Sequence, residues 1–404
     1  MGPFDSIRGG FVMKIKHMKK TAALLISASL VTGLCVSSVG ADDDSAVTIS
    51  QEEISENTEN GPAGTTDSVP GDFPGEPPEG GQMGTPPEQP DGNGGPGGAP
   101  DGTPPDGNGG PGGAPGGSST EIDYIGAIEI SSNDTQEEQT YTSTSSDENA
   151  LLISTSDEVT ITNPVVSKSG DSDGGDNCNF YGLNAAVLVK DGSTTTITGG
   201  SISSDADGAN GVFSYGGNGG QNGAEGDGTT LIIRDTEITT TGDGSGGIMT
   251  TGGGITYAYD LDINTSGRSS AAIRTDRGGG TVYVDGGSYT TNGLGSPAIY
   301  STADITVANA TLTSNLSEGV CIEGLNSIDL TDCDLTANNT QCNGNATFLD
   351  SIMIYQSMSG DADSGTSHFT MTGGSLTSKN GHVFHVTNTN AVITLENVDV
   401  INLR

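Results

Sequence analysis

From about residue 122 onward, short runs place apolar side chains at every second position, with Thr, Ser, Asn or Asp between them. A period of two marks a strand with one buried face. Ile161, Ile197, Ile233, Ala258, Val284, Val307, Leu330, Met371 and Leu395 can be taken as equivalent anchors. Two positions before them stand Val159, Thr195, Leu231, Thr256, Val282, Ile305, Ile328, Phe369 and Ile393. Five positions after them stand Val166, Ile202, Ile238, Ile263, Tyr289, Leu312, Leu335, Leu376 and Val400. Two positions after each anchor comes a residue that tolerates a left-handed backbone: Asn163, Gly199, Asp235, Asp260, Gly286, Asn309, Asp332, Gly373 or Asn397. The unit is therefore a strand, a sharp turn and a second strand, repeated nine times.

A third strand is expected before each pair and is read over residues 185–189, 247–251, 271–275, 297–301, 319–323, 352–356 and 383–387. Anchors lie 36, 36, 25, 26, 23, 23, 41 and 24 residues apart, and insertions fall at 171–183, 216–228 and 337–350. Three short strands per unit with variable loops predict the coils of a right-handed parallel β-helix, an all-β fold in which inward residues of successive coils stack into one apolar column. Residues 120–147 are expected to cap its N-terminal end.

Composition changes the picture before this domain. Lys19 and Lys20 precede an apolar run over 22–36 that ends in small residues at Ala41, which reads as a secretory signal over 1–41. The run is shorter than the roughly 20 residues of a membrane span, so no transmembrane segment is expected in the mature chain. Residues 42–119 hold 15 acids, no Lys or Arg and 14 of the 17 prolines, and residues 90–100 recur unchanged at 105–115. Such a segment cannot bury enough apolar surface to offset its chain entropy, and reads as a disordered acidic stalk before a β-helix domain over 120–404. The whole chain has a net charge of −39; after the cut, 8 basic and 51 acidic residues leave −43. A nucleic-acid partner is excluded by that charge.

The repeated coil with its Asn-type turn resembles the right-handed parallel β-helix proteins of the pectate-lyase-like superfold. Thr275-Asp276-Arg277-Gly278-Gly279-Gly280-Thr281 and Met353-Ile354-Tyr355-Gln356-Ser357-Met358-Ser359-Gly360-Asp361 look like adhesin-like secreted proteins of gut-dwelling bacteria, some of which are described as carbohydrate-binding. The resemblance spans about residues 120–404. It implies a secreted or cell-surface protein whose loops meet an extracellular glycan or a host surface protein. The superfold also contains polysaccharide lyases and hydrolases, so a uronate- or pectin-active enzyme is the rival expectation.

Candidate chemistry is sparse. Asp329, Asp332 and Asp334 are the nearest approach to the carboxylates of a glycoside hydrolase, but Asp332 fills the turn column. The Asn-Thr-Asp, Gly-His-Gly and Arg-Ile-Lys strings of polygalacturonases are absent. Arg268, Arg274 and Arg277 fall within ten residues, and Arg274 and Asp276 are expected to point outward together. With Tyr300 and Tyr355 they form the candidate binding set, and no catalytic residue is assigned. Tyr257, Tyr259 and Tyr283 are further stacking candidates, whereas Tyr289 lies in the apolar column. Asp171, Asp173 and Asp176 offer alternating oxygen ligands for calcium, the one cofactor considered, without the distal Glu of an EF-hand. His382 and His385 are expected on the surface. Cys333 sits in a small inward slot as a free thiol, and Cys321 and Cys342, about one coil apart, are a candidate disulfide. The ninth coil runs to Arg404 with no capping unit, so further coils, or self-association through an open last coil, are expected.

Overall fold

A computed structural model describes residues 11–16, 47–49, 122–172, 174–219, 225–342, 346–357 and 362–403. The apolar run of the expected signal, the expected cut after Ala41 and most of the expected stalk lie outside the described residues. From residue 125 the chain winds as a three-sided parallel β-helix. A typical coil runs through Ile273–Thr275 on the first face, Gly280–Asp285 on the second and Ser288–Thr291 on the third. Each strand pairs in parallel with its counterpart one coil on, so Ile233 lies beside Ala258 and Ala258 beside Val284. Among the described residues the sheets hold ten, twelve and ten strands on the first, second and third faces.

The three columns read from the sequence form the core, and all their members are buried. Removing each Leu or Ile side chain from water is worth about 1.5–3 kcal/mol. Thr195 and Thr256 break the apolar rule without leaving an orphan. Their hydroxyls bond to Ser193 and Thr250, at 2.8 and 2.7 Å. The nine turn residues all have positive φ, between 49° and 78°. At eight of the nine, all but Asn397, the backbone N–H donates to the next coil, as Asn163 does to Thr198 O at 2.8 Å and Asp235 to Tyr259 O at 3.0 Å. At these eight turns the sharp bend therefore costs no ladder bond.

Three expectations need correction. Residues 120–147 do not form a separate cap. Ile125–Ile130, Asp134–Glu137 and Thr140–Ser143 make a tenth coil, paired strand by strand with the next. Its turn is Glu138, at φ 52°, and Tyr141 fills the inward slot. The apolar pattern misses this coil because its second-face strand carries Asp134 and Gln136 in place of anchors; the Tyr141 hydroxyl donates to Gln136 at 2.5 Å. First-face strands Glu148–Ser154 and Val212–Tyr215 join the seven expected ones. Finally, Cys321 and Cys342 are not bridged; the first is buried and the second exposed, and Cys178 and Cys333 are both buried.

The last coil is not wholly open. Phe11–Lys16 adds to the second face beyond Asn390–Glu396 in parallel register, and Val47–Ile49 pairs antiparallel with it. Leu395 and Val400 are buried, whereas Ile401 and Leu403 are exposed. A secretory cut after Ala41 would remove Phe11–Lys16 and return Asn390–Glu396 to a free strand edge.

Candidate functional site

Parallel register stacks the outward side chains of the first face into a line: Leu188, Phe213, Met249, Arg274, Tyr300, Cys321, Met353 and His385. Its early part is apolar, and Leu152, Leu188, Phe213 and Met249 form a second small core. The insertion at 171–183 lies against this core through the short helix Asp176–Tyr181. The Thr251 hydroxyl donates to Phe180 O at 2.6 Å, and Arg277 stacks over the Phe180 ring at 4.2 Å.

The middle of the line is polar. Arg274 Nη2 bonds Asp276 Oδ2 at 2.7 Å, Nη1 bonds Asn179 Oδ1 at 3.1 Å, and the guanidinium lies 5.5 Å from the Tyr300 ring centre. Asp276 also accepts the Arg277 N–H at 3.0 Å. The Tyr300 hydroxyl donates to Glu323 at 2.8 Å, the Tyr355 hydroxyl lies 3.4 Å from that of Tyr300, and Ser357 donates to the other Glu323 oxygen. Burial pushes both phenols well above the ordinary tyrosine range, so they stay protonated.

Five of the six candidate binding residues thus meet around Arg274 and Tyr300 of this line, and Arg268 does not. Its backbone N–H donates to Asp243 Oδ1 at 2.7 Å, ending a ladder in which Asp171 caps Asp207 and Asp207 caps Asp243. Asp171 therefore serves a coil corner, Asp176 heads the short helix, and Asp173 lies outside the described residues. Among the described residues no three acidic, His or Cys side chains converge to hold a metal. The candidate hydrolase carboxylates do not converge either, since Asp329 points outward from the second face and Asp332 makes the turn.

Farther along, the first face buries a group of acids. Asp350 Oδ2 and His385 Nδ1 are 2.7 Å apart, and Phe348 stacks on the His385 ring at 4.0 Å. His385 is therefore buried, against the surface position expected for it. The reason is Phe348, supplied by the insertion at 337–350, whose path the coil pattern does not register. Glu318 is also buried and accepts the Ser317 hydroxyl. Burial raises the carboxyls of both Glu318 and Asp350 above their ordinary range, outweighing the hydrogen bonds that lower them. A raised acid contributes stability that is full below its unfolded pKa and is lost as pH rises through the folded one. Glu318→Gln is accordingly expected to raise the melting temperature at pH 7.5 and leave it unchanged at pH 4. Equal gains at both pH values in thermal melts would contradict this assignment.

The second face carries a different surface. Tyr257 and Tyr283 are register partners on adjacent coils, with ring centres 5.1 Å apart and planes 11° from parallel. Rings in contact lie about 3.5–4 Å apart plane to plane, so these two are slipped and overlap like shingles. Tyr283 is 43% exposed and Tyr257 is half-buried, with Ile232 and Thr306 as their outer register neighbours. In the next outward row the Arg234 guanidinium lies 4.5 Å from the Tyr259 ring centre. A sequence signal for the pair existed: Tyr257 and Tyr283 each stand one residue before their anchors, Ala258 and Val284.

No protein-family model, curated protein or solved structure matches this chain. Among the described residues no helix is long and apolar enough to cross a membrane.

Proposed function

We propose that the chain is an exported, adhesin-like β-helix that binds an extracellular glycan without cleaving it. The observation that carries this reading is the shingled Tyr257–Tyr283 pair on an open sheet face. Bare aromatic faces stack on the C–H faces of pyranose rings, and a sheet fixed by a neighbouring strand on each side holds them there without ordering cost. The signal-like N-terminus and the acidic stalk fit a domain presented outside the cell. Cleavage is the weaker reading. A uronate lyase needs a free base beside a cation that takes the substrate carboxylate. Here Arg274 is engaged by Asp276, and the nearby phenols hold their protons.

The test is a glycan array run with and without calcium, followed by titration of the best ligand. Tyr283→Ala is expected to weaken binding at least about tenfold, the loss of one stacking contact of roughly 1.4 kcal/mol. Undiminished binding by that variant would remove the platform, and new unsaturated uronate ends released by the protein would replace this reading with the lyase.

A further inference from the structure

Where the first face turns into the second, the corners of several coils enclose a groove of about 440 Å³, within the size range of small-molecule sites. Its rim carries Glu225, Asp304 and Asp363, all exposed. Its larger apolar contacts are Ile255 and Leu325, the latter 49% exposed, with the buried Ala303 beside them. Part of its wall is bare glycine backbone at 278–280; a Cβ on Gly278 would meet Asn218 O at 2.3 Å, so no side chain fills this wall.

The observation that points to a ligand is Thr302. It lines the groove, is 0% exposed, and its hydroxyl has no hydrogen-bond partner. Its backbone N–H is held by the Thr275 hydroxyl at 2.9 Å, so the residue is fixed in place. A buried hydroxyl left unpaired costs free energy that a bound polar group would recover. The groove is also continuous with the tyrosine platform. Ile255 and Thr281 line it, and Tyr257 and Tyr283 follow two residues later on the same strands, about 6.6 Å along.

We propose that this groove is a subsite for one sugar unit of a neutral glycan whose chain continues across the second face onto Tyr257 and Tyr283. The inference rests on the glycan-binding reading above and adds the sugar class. Three rim carboxylates accept hydrogen bonds from sugar hydroxyls and repel a uronate or sulfated sugar, as does the strongly negative chain as a whole. The rim acids are not arranged as a cation site, since no three acidic, His or Cys side chains among the described residues can hold a metal. Leu325 and Ile255 meet the apolar edge of the ring, and Thr302 takes one hydroxyl at the groove floor.

The experiment is calorimetric titration of the full chain with neutral hexasaccharides (β-glucan, β-xylan and β-mannan series) and with a galacturonate hexamer. At least one neutral ligand is expected to bind, and the galacturonate is not. Thr302→Val removes only the unpartnered hydroxyl, so affinity is expected to fall tenfold or more while the melting temperature holds or rises. That opposition of sign separates a ligand contact from a packing role. Asp304→Ala, on the exposed rim, is expected to weaken binding in parallel. Wild-type affinity in Thr302→Val and Asp304→Ala, with binding lost in Tyr283→Ala, would leave the glycan reading standing and overturn the groove. Binding of the galacturonate in preference to every neutral chain would overturn the sugar class, and binding of neither class would overturn both readings.

Discussion

Replacing Gly374 by alanine is expected to destabilise the β-helix by about 4 kcal/mol. Gly374 follows the turn residue Gly373, and both have positive φ, at 69° and 72°. The left-handed backbone alone costs an L side chain about 1–2 kcal/mol. The larger part comes from the coil beneath, because a Cβ at this position would stand 1.9 Å from Cys333 O. That carbonyl accepts the Ser375 N–H at 3.0 Å, which starts the third-face ladder between Asp334–Ala337 and Ser375–Ser378. Separating the coils enough to admit a methyl group breaks that bond and loosens the ones after it. Gly244→Ala is the control: its φ is 66°, but no atom lies within 4 Å of the added carbon. Thermal melts should show a small loss for Gly244→Ala and about three times more for Gly374→Ala. Equal losses would mean that the coils are not packed as closely at the turn as the backbone spacing requires.

The same residue shows why the fold was legible in the sequence. Nine of the ten coils meet the same backbone problem at the same place and solve it with one of three residues, so the answer repeats visibly at Asn163, Gly199, Asp235 and onward; only Glu138 departs from it. Where the turn residue is glycine, the next is glycine as well, at 199–200, 286–287 and 373–374, and in each pair the second Cβ would strike the coil beneath within 2.4 Å. The tenth coil stayed hidden because a polar end layer has no apolar column to continue. Side-chain meetings were legible only where coil lengths are regular. Arg274 and Tyr300 lie 26 residues apart, close to the 23 between their coils' anchors Val284 and Val307, and do stack. His385 depends on Phe348, which arrives from an insertion that no anchor spacing places. The groove was invisible for a related reason: it is built from corner residues of several coils, and those corners carry no pattern of their own.

Breaking the Arg274–Asp276 pair is expected to cost about 3–5 kcal/mol, because it leaves one charge buried without its partner. The two side chains are 14% and 5% exposed and 2.7 Å apart, so solvent screens them little. Arg274→Met removes the cation while keeping much of its packing volume over Tyr300, and Asp276 then loses its charged bond while keeping the Arg277 N–H. Asp276→Asn, added to Arg274→Met, removes the stranded charge and keeps an acceptor for that N–H. The double variant should therefore recover most of the loss. A pair whose members are free to meet a ligand behaves otherwise: Arg274→Met alone would be nearly neutral for stability, as exposed ion pairs are. Glycan titration of the same two variants completes the argument. If the ligand lies on the second face and in the corner groove, Arg274→Met/Asp276→Asn binds like the parent once refolded to similar stability. If binding disappears with stability restored, the first-face line is the recognition surface, and the residues that the sequence singled out as candidates hold the ligand directly.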